Sequence, residues 1–210
     1  MSLEFRWLGR VDYAAGLRQQ AELAARRRAG EVGDVVLLLE HDPVYTIGRT
    51  PDKSSLANSQ PLPYPVVEIS RGGQATYHGP GQLVGYPILD LTQFGQDLHR
   101  YLRAIEDGLV SACRRVSVLA ERRDNLTGVW AGQRKLASIG VGVRHWISQH
   151  GFALNVTEES LAGFAPIIPC GLAGVQMTCL TREGASVLSV EDFTAHIVPS
   201  FTDSLGALRS

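Results

Sequence analysis

The chain has 210 residues, a length that suits one large domain better than two and that supports a core without disulfide or metal staples. Its 44% hydrophobic and 20% charged residues are typical of a soluble globular protein. A formal net charge of −1 excludes attachment to DNA or to an anionic membrane through the field of the whole molecule. We therefore expect a single domain over residues 1–210 with no nucleic-acid or membrane partner.

The cellular setting is predicted from the N-terminal sequence and the cysteines. MSLEFRWLGR has neither the basic nor the apolar segment of a secretory signal, and no apolar run approaches the ~20 residues that span a bilayer. Three cysteines, an odd number without paired spacing, argue against a disulfide framework. We expect a cytoplasmic protein with reduced thiols and take a monomer as the default.

The first third of the chain predicts two strands, a helix and a loop. Residues 3–8 alternate as in a strand, and Asp12 is placed to cap a helix over about residues 13–29. The continuous apolar run Val35–His41 predicts a central strand. The Pro/Ser/Asn-rich stretch at 51–65 is typical of an exposed loop.

The rest of the chain predicts further strands with two more helices between them. Pro87 indicates that its strand is an edge strand or carries a bulge. Ser189, with Asp192 three residues later, is typical of a helix N-cap. The predicted elements are strands at 66–70, 82–91, 116–120, 126–131, 134–146 and 147–156, a helix at 96–114 and a C-terminal helix. Strands in meander order with helices inserted singly predict an α+β fold.

One of the three cysteines lies in a sequence that fits a reactive thiol. Cys113 falls on the apolar face of the predicted helix and Cys179 lies in the apolar run VQMTCL, so both should pack as small buried hydrophobes. Cys170 lies between Pro169, which fixes the backbone before it, and Gly171, which leaves the backbone open after it. The local sequence leaves open whether Cys170 is a nucleophile or a loop residue.

A cysteine nucleophile needs a neighbour that stabilises its thiolate, because a free thiol with a pKa near ~8.5 is only slightly ionised at neutral pH. His78 and Lys135 are the candidates. Only two of the twenty basic residues are lysines, and Lys135 has apolar neighbours. A lysine, unlike an arginine, can also release its proton. The alternative is that Lys135 is a strand residue facing solvent.

The stretch RGGQATYHGPGQ, residues 71–82, is the most unusual in the chain. It is neither a dinucleotide-binding fingerprint nor a Walker A motif, and no helix follows to complete a phosphate site. Its glycines would let the backbone approach a ligand, although a purely structural loop remains the alternative. The six histidines are scattered, and no cluster has metal-ligand spacing, so no metal site is predicted.

Four segments carry a resemblance to a known family. EHDPVYTIGR, RGGQATYHGPGQLVGYPILDL, RKLASIGVGVRHWISQHGFALNV and IIPCGL occur in this order between about residues 37 and 180. Together they resemble the octanoyltransferases of lipoate biosynthesis, the lipoyl(octanoyl) transferases. The resemblance implies a single domain with a central mixed β-sheet flanked by helices, related to the catalytic domain of biotin and lipoate protein ligases.

The resemblance also implies an activity and its partners. Enzymes of this family transfer an octanoyl group from octanoyl-acyl carrier protein to the acceptor lysine of lipoyl domains, without a cofactor. The expected acceptors are the lipoyl domains of 2-oxoacid dehydrogenase E2 subunits and the H protein of glycine cleavage.

Residue roles follow from the same resemblance. In the family, the cysteine of the PCG motif forms a thioester with the acyl chain, which falls on Cys170. The lysine of the RKLASIG motif, which lowers the pKa of that cysteine, falls on Lys135. The positions implied in acyl-substrate binding are Arg71, Gly72, Gly73, Gln74, Ala75, Thr76, Tyr77, His78, Ser138, Ile139, Gly140, Gly151, Phe152 and Ala153.

Two alternatives remain open. An ATP-dependent lipoate or biotin protein ligase of the same fold would form an acyl-adenylate and would need no cysteine nucleophile, so the Pro-Cys-Gly motif disfavours it. An inactive acyl-binding relative would have lost Cys170 or Lys135, and both residues are present.

Overall fold

The computed structural model of the chain describes residues 3–49, 54–56, 61–172, 174–186 and 189–209; for Ser54, Cys170 and Arg209 it describes the backbone alone. The helices in this part of the chain are α1 (Tyr13–Arg28), α2 (Leu98–Arg115) and α3 (Val190–Gly206). The strands are β1 (Glu4–Val11), β2 (Val35–His41), β3 (Val44–Ile47), β4 (Val66–Glu68), β5 (Thr76–His78), β6 (Gln82–Ile88), β7 (Glu121–Arg123), β8 (Leu126–Ala131), β9 (Arg134–Arg144) and β10 (Ile147–Asn155).

The strands form two sheets. The main sheet has the order β1-β2-β6-β10-β9-β8-β7, and the smaller sheet has the order β4-β3-β5. In the main sheet β1 and β2 are parallel, and every other pair is antiparallel. The predicted α+β class with a central mixed sheet is therefore confirmed.

Helices cover both faces of the main sheet. Helices α2 and α3 pack on one face, where Leu109 and Phe201 join a core with the strand residues Leu38 and Leu154. Helix α1 covers the opposite face, where Leu23 packs with residues of β2 and β6. Within the predicted motif at 71–82, Thr76–His78 form β5 of the smaller sheet, and Gln82 is the first residue of β6 in the main sheet.

Side-chain caps fix where the helices begin. Asp12 accepts a hydrogen bond from the Ala15 amide at 2.9 Å, and Ser189 accepts one from the Asp192 amide at 3.1 Å. Both predicted caps are confirmed, because short polar side chains satisfy amides that have no partner within the first helical turn. Helix α2 begins at Leu98 after the cap residue Asp97.

Pro87 was expected to mark an edge strand or a bulge, and the edge alternative is wrong, since β6 lies between β2 and β10. Pro87 pairs with Val36 of β2, while the ladder between β6 and β10 stops at Gly85 and Phe152. Beyond that point Ser148 replaces the ladder: its hydroxyl donates to the Pro87 carbonyl at 2.7 Å. The proline, which cannot donate, thus lies where two neighbouring strands separate.

Other predicted elements differ in extent. Residues 116–120 are not a strand, and β7 begins only at Glu121. The predicted strand at 66–70 is limited to β4. Residues 51–53 and 57–60 of the predicted loop lie outside the described residues. Among the helices that the structure describes, none combines the length and apolar character needed to cross a bilayer.

Candidate active site

A cavity of about 380 Å³ lies where the loop before β5 meets strands β9 and β10 and the start of α2. This volume falls within the range of small-molecule sites. One part of its wall is apolar and another part is polar or charged. Leu98, Leu102, Leu126, Ile139 and Phe152 give an apolar surface, whereas the other walls carry histidine, tyrosine, arginine and lysine side chains. The cavity can hold an unbranched aliphatic chain beside a polar reacting group.

Most of the predicted binding residues line this cavity. They are Arg71, Gly72, Gly73, Gln74, Thr76, His78, Ser138, Ile139, Gly140, Gly151, Phe152 and Ala153. Ala75 and Tyr77 were predicted with them but do not line it. Residues of a strand point alternately to its two sides, so Thr76 and His78 face the cavity and Tyr77 faces away. Tyr77 packs instead against Tyr45 and Phe164, at ring-centroid distances of 5.6 and 5.5 Å.

Lys135 is the second residue of β9, lines the cavity and is only 1% exposed, so the alternative of a solvent-facing lysine is wrong. Its Nζ lies 5.4 Å from the centroid of the Trp130 ring, within the range of a cation–π contact. No carboxylate among the described side chains forms an ion pair with this ammonium. A buried lysine without a carboxylate partner is suited to stabilising another anion in the cavity.

Cys170 lies in the short turn Pro169–Gly171. The structure describes the backbone of Cys170 and not its side chain. The turn is held to residues 54–56 by a hydrogen bond from the Ile168 amide to the Ser55 carbonyl, 3.0 Å. Gly171 has a φ of +70°, and a Cβ there would overlap the Gln74 side chain. Glycine therefore lets the turn approach the 71–78 loop, and Leu172, two residues after Cys170, lines the cavity.

Arg71 anchors the 71–78 loop to the small sheet. Its guanidinium donates to the carbonyl and the hydroxyl of Thr46 on β3, at 3.1 and 2.9 Å, and to the carbonyl of Gly72 at 2.8 Å. Gly140 lies beneath the arginine, since a Cβ there would come within 2.9 Å of the Arg71 Cδ. The small residue in β9 lets the loop close over the main sheet.

His78 is held neutral and in one tautomer. Its Nδ1 lies 2.8 Å from Oε1 of Gln82, whose amide nitrogen donates to the Tyr77 carbonyl and to Oδ1 of Asn155. Because these two bonds orient the Gln82 amide, we assign the proton of His78 to Nδ1. Burial lowers the pKa of His78 to about 3, and the neighbouring His41 adds to the effect. His78 is therefore not the cation that a cysteine thiolate needs at neutral pH.

Several cavity residues were not predicted, and His150 and Tyr13 are two of them. His150 has a left-handed backbone, φ 56°, and its amide donates to Oε1 of Gln20 on α1 at 2.8 Å. Burial lowers the pKa of His150 to about 4, with the charge of Arg71 adding to the effect. Tyr13, the first residue of α1, stacks on His78 with 6.0 Å between the ring centroids. Burial raises the pKa of Tyr13 to about 12.

We expect the free energy of unfolding to fall as the pH is lowered from 7 to 5. The pKa values of His78 and His150 in the folded state, about 3 and about 4, lie below the ordinary value of 6.5, so the unfolded chain takes up protons first. Their contribution is complete above pH 6.5 and is lost as the pH falls toward 3, at up to about 1.4 kcal/mol per pH unit for each histidine.

Urea unfolding at pH 7, 6 and 5 measures this dependence. His78→Gln should flatten it, whereas His99→Gln, a substitution at an exposed histidine, should leave it as in the wild type. A His78→Gln protein that loses stability as steeply as the wild type would contradict the assignment of a buried neutral histidine.

The other two cysteines pack in the protein interior. Cys113 and Cys179 are both 0% exposed, and burial raises the pKa of Cys113 to about 12. The prediction that both pack as buried residues is confirmed, although Cys179 lies in an irregular segment rather than a strand. Among the described residues no group of histidine, cysteine, aspartate and glutamate side chains could hold a metal ion.

Comparison with known proteins identifies similar sequences and folds. Residues 12–202 match the family model of the lipoyl protein ligase A/B catalytic domain. An octanoyltransferase of Geobacter sulfurreducens is 48% identical over 92% of this chain and 81% of its own. Two solved structures share the fold at low identity. A bipartite lipoate protein ligase of Thermoplasma acidophilum has a TM-score of 0.69 at 16% identity, with 97% of this chain and 84% of that chain covered. A biotin protein ligase of Aquifex aeolicus has a TM-score of 0.56 at 11% identity, with 100% and 71% covered.

Proposed function

Because the chain belongs to the lipoyl protein ligase A/B catalytic domain family, we propose that it transfers an octanoyl group to the lysine of a lipoyl domain through a thioester on Cys170. The similarity to octanoyltransferases supports the conclusion that the chain is an acyltransferase. The observation that carries the proposed chemistry is Lys135, a buried lysine on the wall of a cavity that the glycine-rich loop and strands β9 and β10 also line.

The first step of the proposed reaction is an exchange between two thioesters. The ammonium of Lys135 stabilises the Cys170 thiolate, which attacks the carbonyl carbon of octanoyl-acyl carrier protein. A bond forms between the Cys170 sulfur and the acyl carbon, and the bond from that carbon to the sulfur of the carrier breaks. The leaving thiolate takes a proton from Lys135, which becomes a neutral amine. Reactant and product are both thioesters, so the step is nearly balanced in energy.

The second step forms an amide. The neutral amine of the acceptor lysine attacks the acyl carbon, the Cys170 thiolate leaves, and Lys135 takes the proton from the attacking nitrogen. This returns Lys135 to the ammonium and Cys170 to the thiolate with which the cycle began. Amide formation from a thioester is downhill, so the transfer needs no ATP. Backbone amides of the glycine-bearing segments are the proposed donors to the tetrahedral oxyanion.

The two characters of the cavity suit the two parts of the substrate. The apolar wall formed by Leu98, Leu102, Ile139 and Phe152 would hold the eight-carbon chain, since burial of each CH₂ contributes about 0.8 kcal/mol. The predicted segments at 71–78, 138–140 and 151–153 would then enclose the chain and its carbonyl. Ala75 and Tyr77 would support the loop from behind.

The proposal extends to the setting of the reaction. Octanoyl-acyl carrier protein is the proposed donor, and the lipoyl domains of E2 subunits and the glycine cleavage H protein are the proposed acceptors. We propose a monomer that works in the cytoplasm.

An assay with and without ATP separates this function from that of a ligase. We expect an apo lipoyl domain to gain one octanoyl group, measured by intact mass, when it is incubated with the protein and octanoyl-acyl carrier protein in the absence of ATP. Free octanoate with Mg²⁺ and ATP should give no product. Modification of the domain only in the second mixture would replace the proposal with an adenylating ligase.

A further inference from the structure

We propose that Glu106 on helix α2 is a positioning residue for Lys135: its carboxylate fixes the Gly128 backbone, which forms one wall of the slot that holds the lysine side chain. The inference rests on the proposed function, because it assigns a purpose to the placement of Lys135. It adds a residue that touches neither substrate nor the reacting atoms.

Glu106 is a carboxylate buried on a helix face that is otherwise apolar. It is 1% exposed, and it belongs to a face of α2 that also carries the core residues Ile105 and Leu109. Burial of a charged carboxylate is costly unless both of its oxygens have partners. Packing therefore does not account for a glutamate at this position.

Both oxygens of Glu106 have partners, and one of them connects helix α2 to the cavity wall. Oε2 accepts from the guanidinium of Arg103, one helical turn earlier, at 2.6 Å. Oε1 accepts from the backbone amide of Gly128 in strand β8 at 2.9 Å. The residues just before Gly128, Asn125 to Thr127, line the cavity. The carboxylate thus ties this part of the wall to a rigid helix.

Gly128 is the backbone against which Lys135 packs. Its φ of +132° is a conformation that favours glycine, and a Cβ there would lie 2.6 Å from the Ala137 carbonyl and 2.8 Å from Cε of Lys135. The same Cβ would lie 3.3 Å from Nζ of Lys135. The lysine side chain therefore lies in a slot between Gly128 and Trp130, and the Glu106 hydrogen bond holds one side of that slot.

The direct test follows the lysine itself. The chain contains only two lysines, Lys53 and Lys135, so protein labelled with ¹³Cε-lysine gives two side-chain cross-peaks, which Lys53→Arg assigns. Glu106→Ala should shift and broaden the Lys135 cross-peak and leave that of Lys53 in place. Glu106→Gln keeps an oxygen acceptor for the Gly128 amide and should preserve the wild-type position. Gly128→Ala, which crowds Cε, should move the Lys135 cross-peak as well.

A second readout connects the position of the lysine to the proposed chemistry. The rate at which iodoacetamide alkylates Cys170, measured by peptide mass at pH values from 5 to 9, reports the fraction of Cys170 that is ionised. Glu106→Ala should lower the rate at pH 7 by about tenfold, equivalent to one pKa unit, toward the rate of Lys135→Ala. Leu109→Ala, a packing change in the same helix, should retain the wild-type profile.

The outcomes separate the inference from the function on which it rests. An unmoved Lys135 cross-peak in Glu106→Ala overturns the positioning role. The role is also overturned if Glu106→Gln behaves like Glu106→Ala, or if Leu109→Ala moves the lysine equally. If the lysine moves as expected but wild type and Lys135→Ala alkylate alike, the positioning stands and the proposed role of Lys135 in catalysis fails.

Discussion

Replacement of Cys170 by alanine is expected to reduce octanoyl transfer to lipoyl domains by about 10³-fold or more, because the protein then has no nucleophile to form the acyl-enzyme. The fold should be retained, since Cys170 lies in the short turn Pro169–Gly171, outside the strands and α-helices. The measurement is the initial rate of octanoyl-lipoyl domain formation, with circular dichroism and thermal unfolding to check the fold.

Cys113 provides the matched control for that experiment. It is a fully buried residue of α2 and does not line the cavity, so Cys113→Ala should cost stability, by about 1 kcal/mol, and leave the transfer rate close to that of the wild type. Transfer at the wild-type rate by Cys170→Ala would refute covalent catalysis through this residue.

Substitution of Lys135 is expected to affect the two chemical steps differently. Lys135→Arg keeps a positive charge but cannot readily become a neutral base, so the amide-forming step should slow by about 10²-fold or more. Thioester formation should slow less, because the retained charge still stabilises the Cys170 thiolate and the leaving thiolate can take its proton from water. Lys135→Met removes both the charge and the base and should slow both steps. Single-turnover experiments with octanoyl-acyl carrier protein measure the first step alone, and addition of a lipoyl domain to the isolated acyl-enzyme measures the second.

Equal losses in the two steps of Lys135→Arg would show that the lysine does not act as the base. Lys135→Arg also has a steric cost, because the guanidinium is larger than the ammonium and the Lys135 slot is limited by Gly128 and Trp130. Thermal unfolding of Lys135→Arg and Lys135→Met reports that cost independently of the chemistry.

The elements with local causes were predictable from the sequence. Asp12 and Ser189 cap α1 and α3 as expected, because an N-cap depends on a side chain and on amides three residues away. The strands predicted at 126–131 and 134–146 form the β8–β9 hairpin, because a two-residue connection between apolar runs predicts a hairpin. The resemblance to the octanoyltransferase family indicated the segments around the cavity. Twelve of the fourteen residues predicted in those segments line it.

The features that depend on distant parts of the chain were not predictable. The burial of Lys135 follows from its place between Gly128 and Trp130, and nothing in the local alternation of β9 distinguishes it from a solvent-facing lysine. Pro87 indicated an edge or a bulge, because a proline cannot complete a ladder. The structure meets the same requirement by separating β6 from β10, and this requires the Ser148 side chain, about sixty residues later.

The polar side of the cavity illustrates the same limit. His150 lies immediately before the predicted Gly151, but its role in the wall depends on a left-handed backbone and on Gln20 of α1. Tyr13 follows the helix cap, a position that indicates the start of a helix and gives no sign of a cavity residue. Glu106 falls within a predicted helix, where a glutamate is expected to face solvent, and its burial follows from the amide of Gly128.

Intact mass spectrometry detects the octanoyl-enzyme on which the proposed mechanism depends. The protein and its Cys170→Ala variant are incubated with octanoyl-acyl carrier protein, separated from the carrier, and weighed before and after hydroxylamine. The thioester mechanism predicts one octanoyl adduct on the wild type, removed by hydroxylamine, and none on the variant. An adduct that persists in Cys170→Ala, or a wild type that transfers octanoyl groups without ever carrying one, would contradict it.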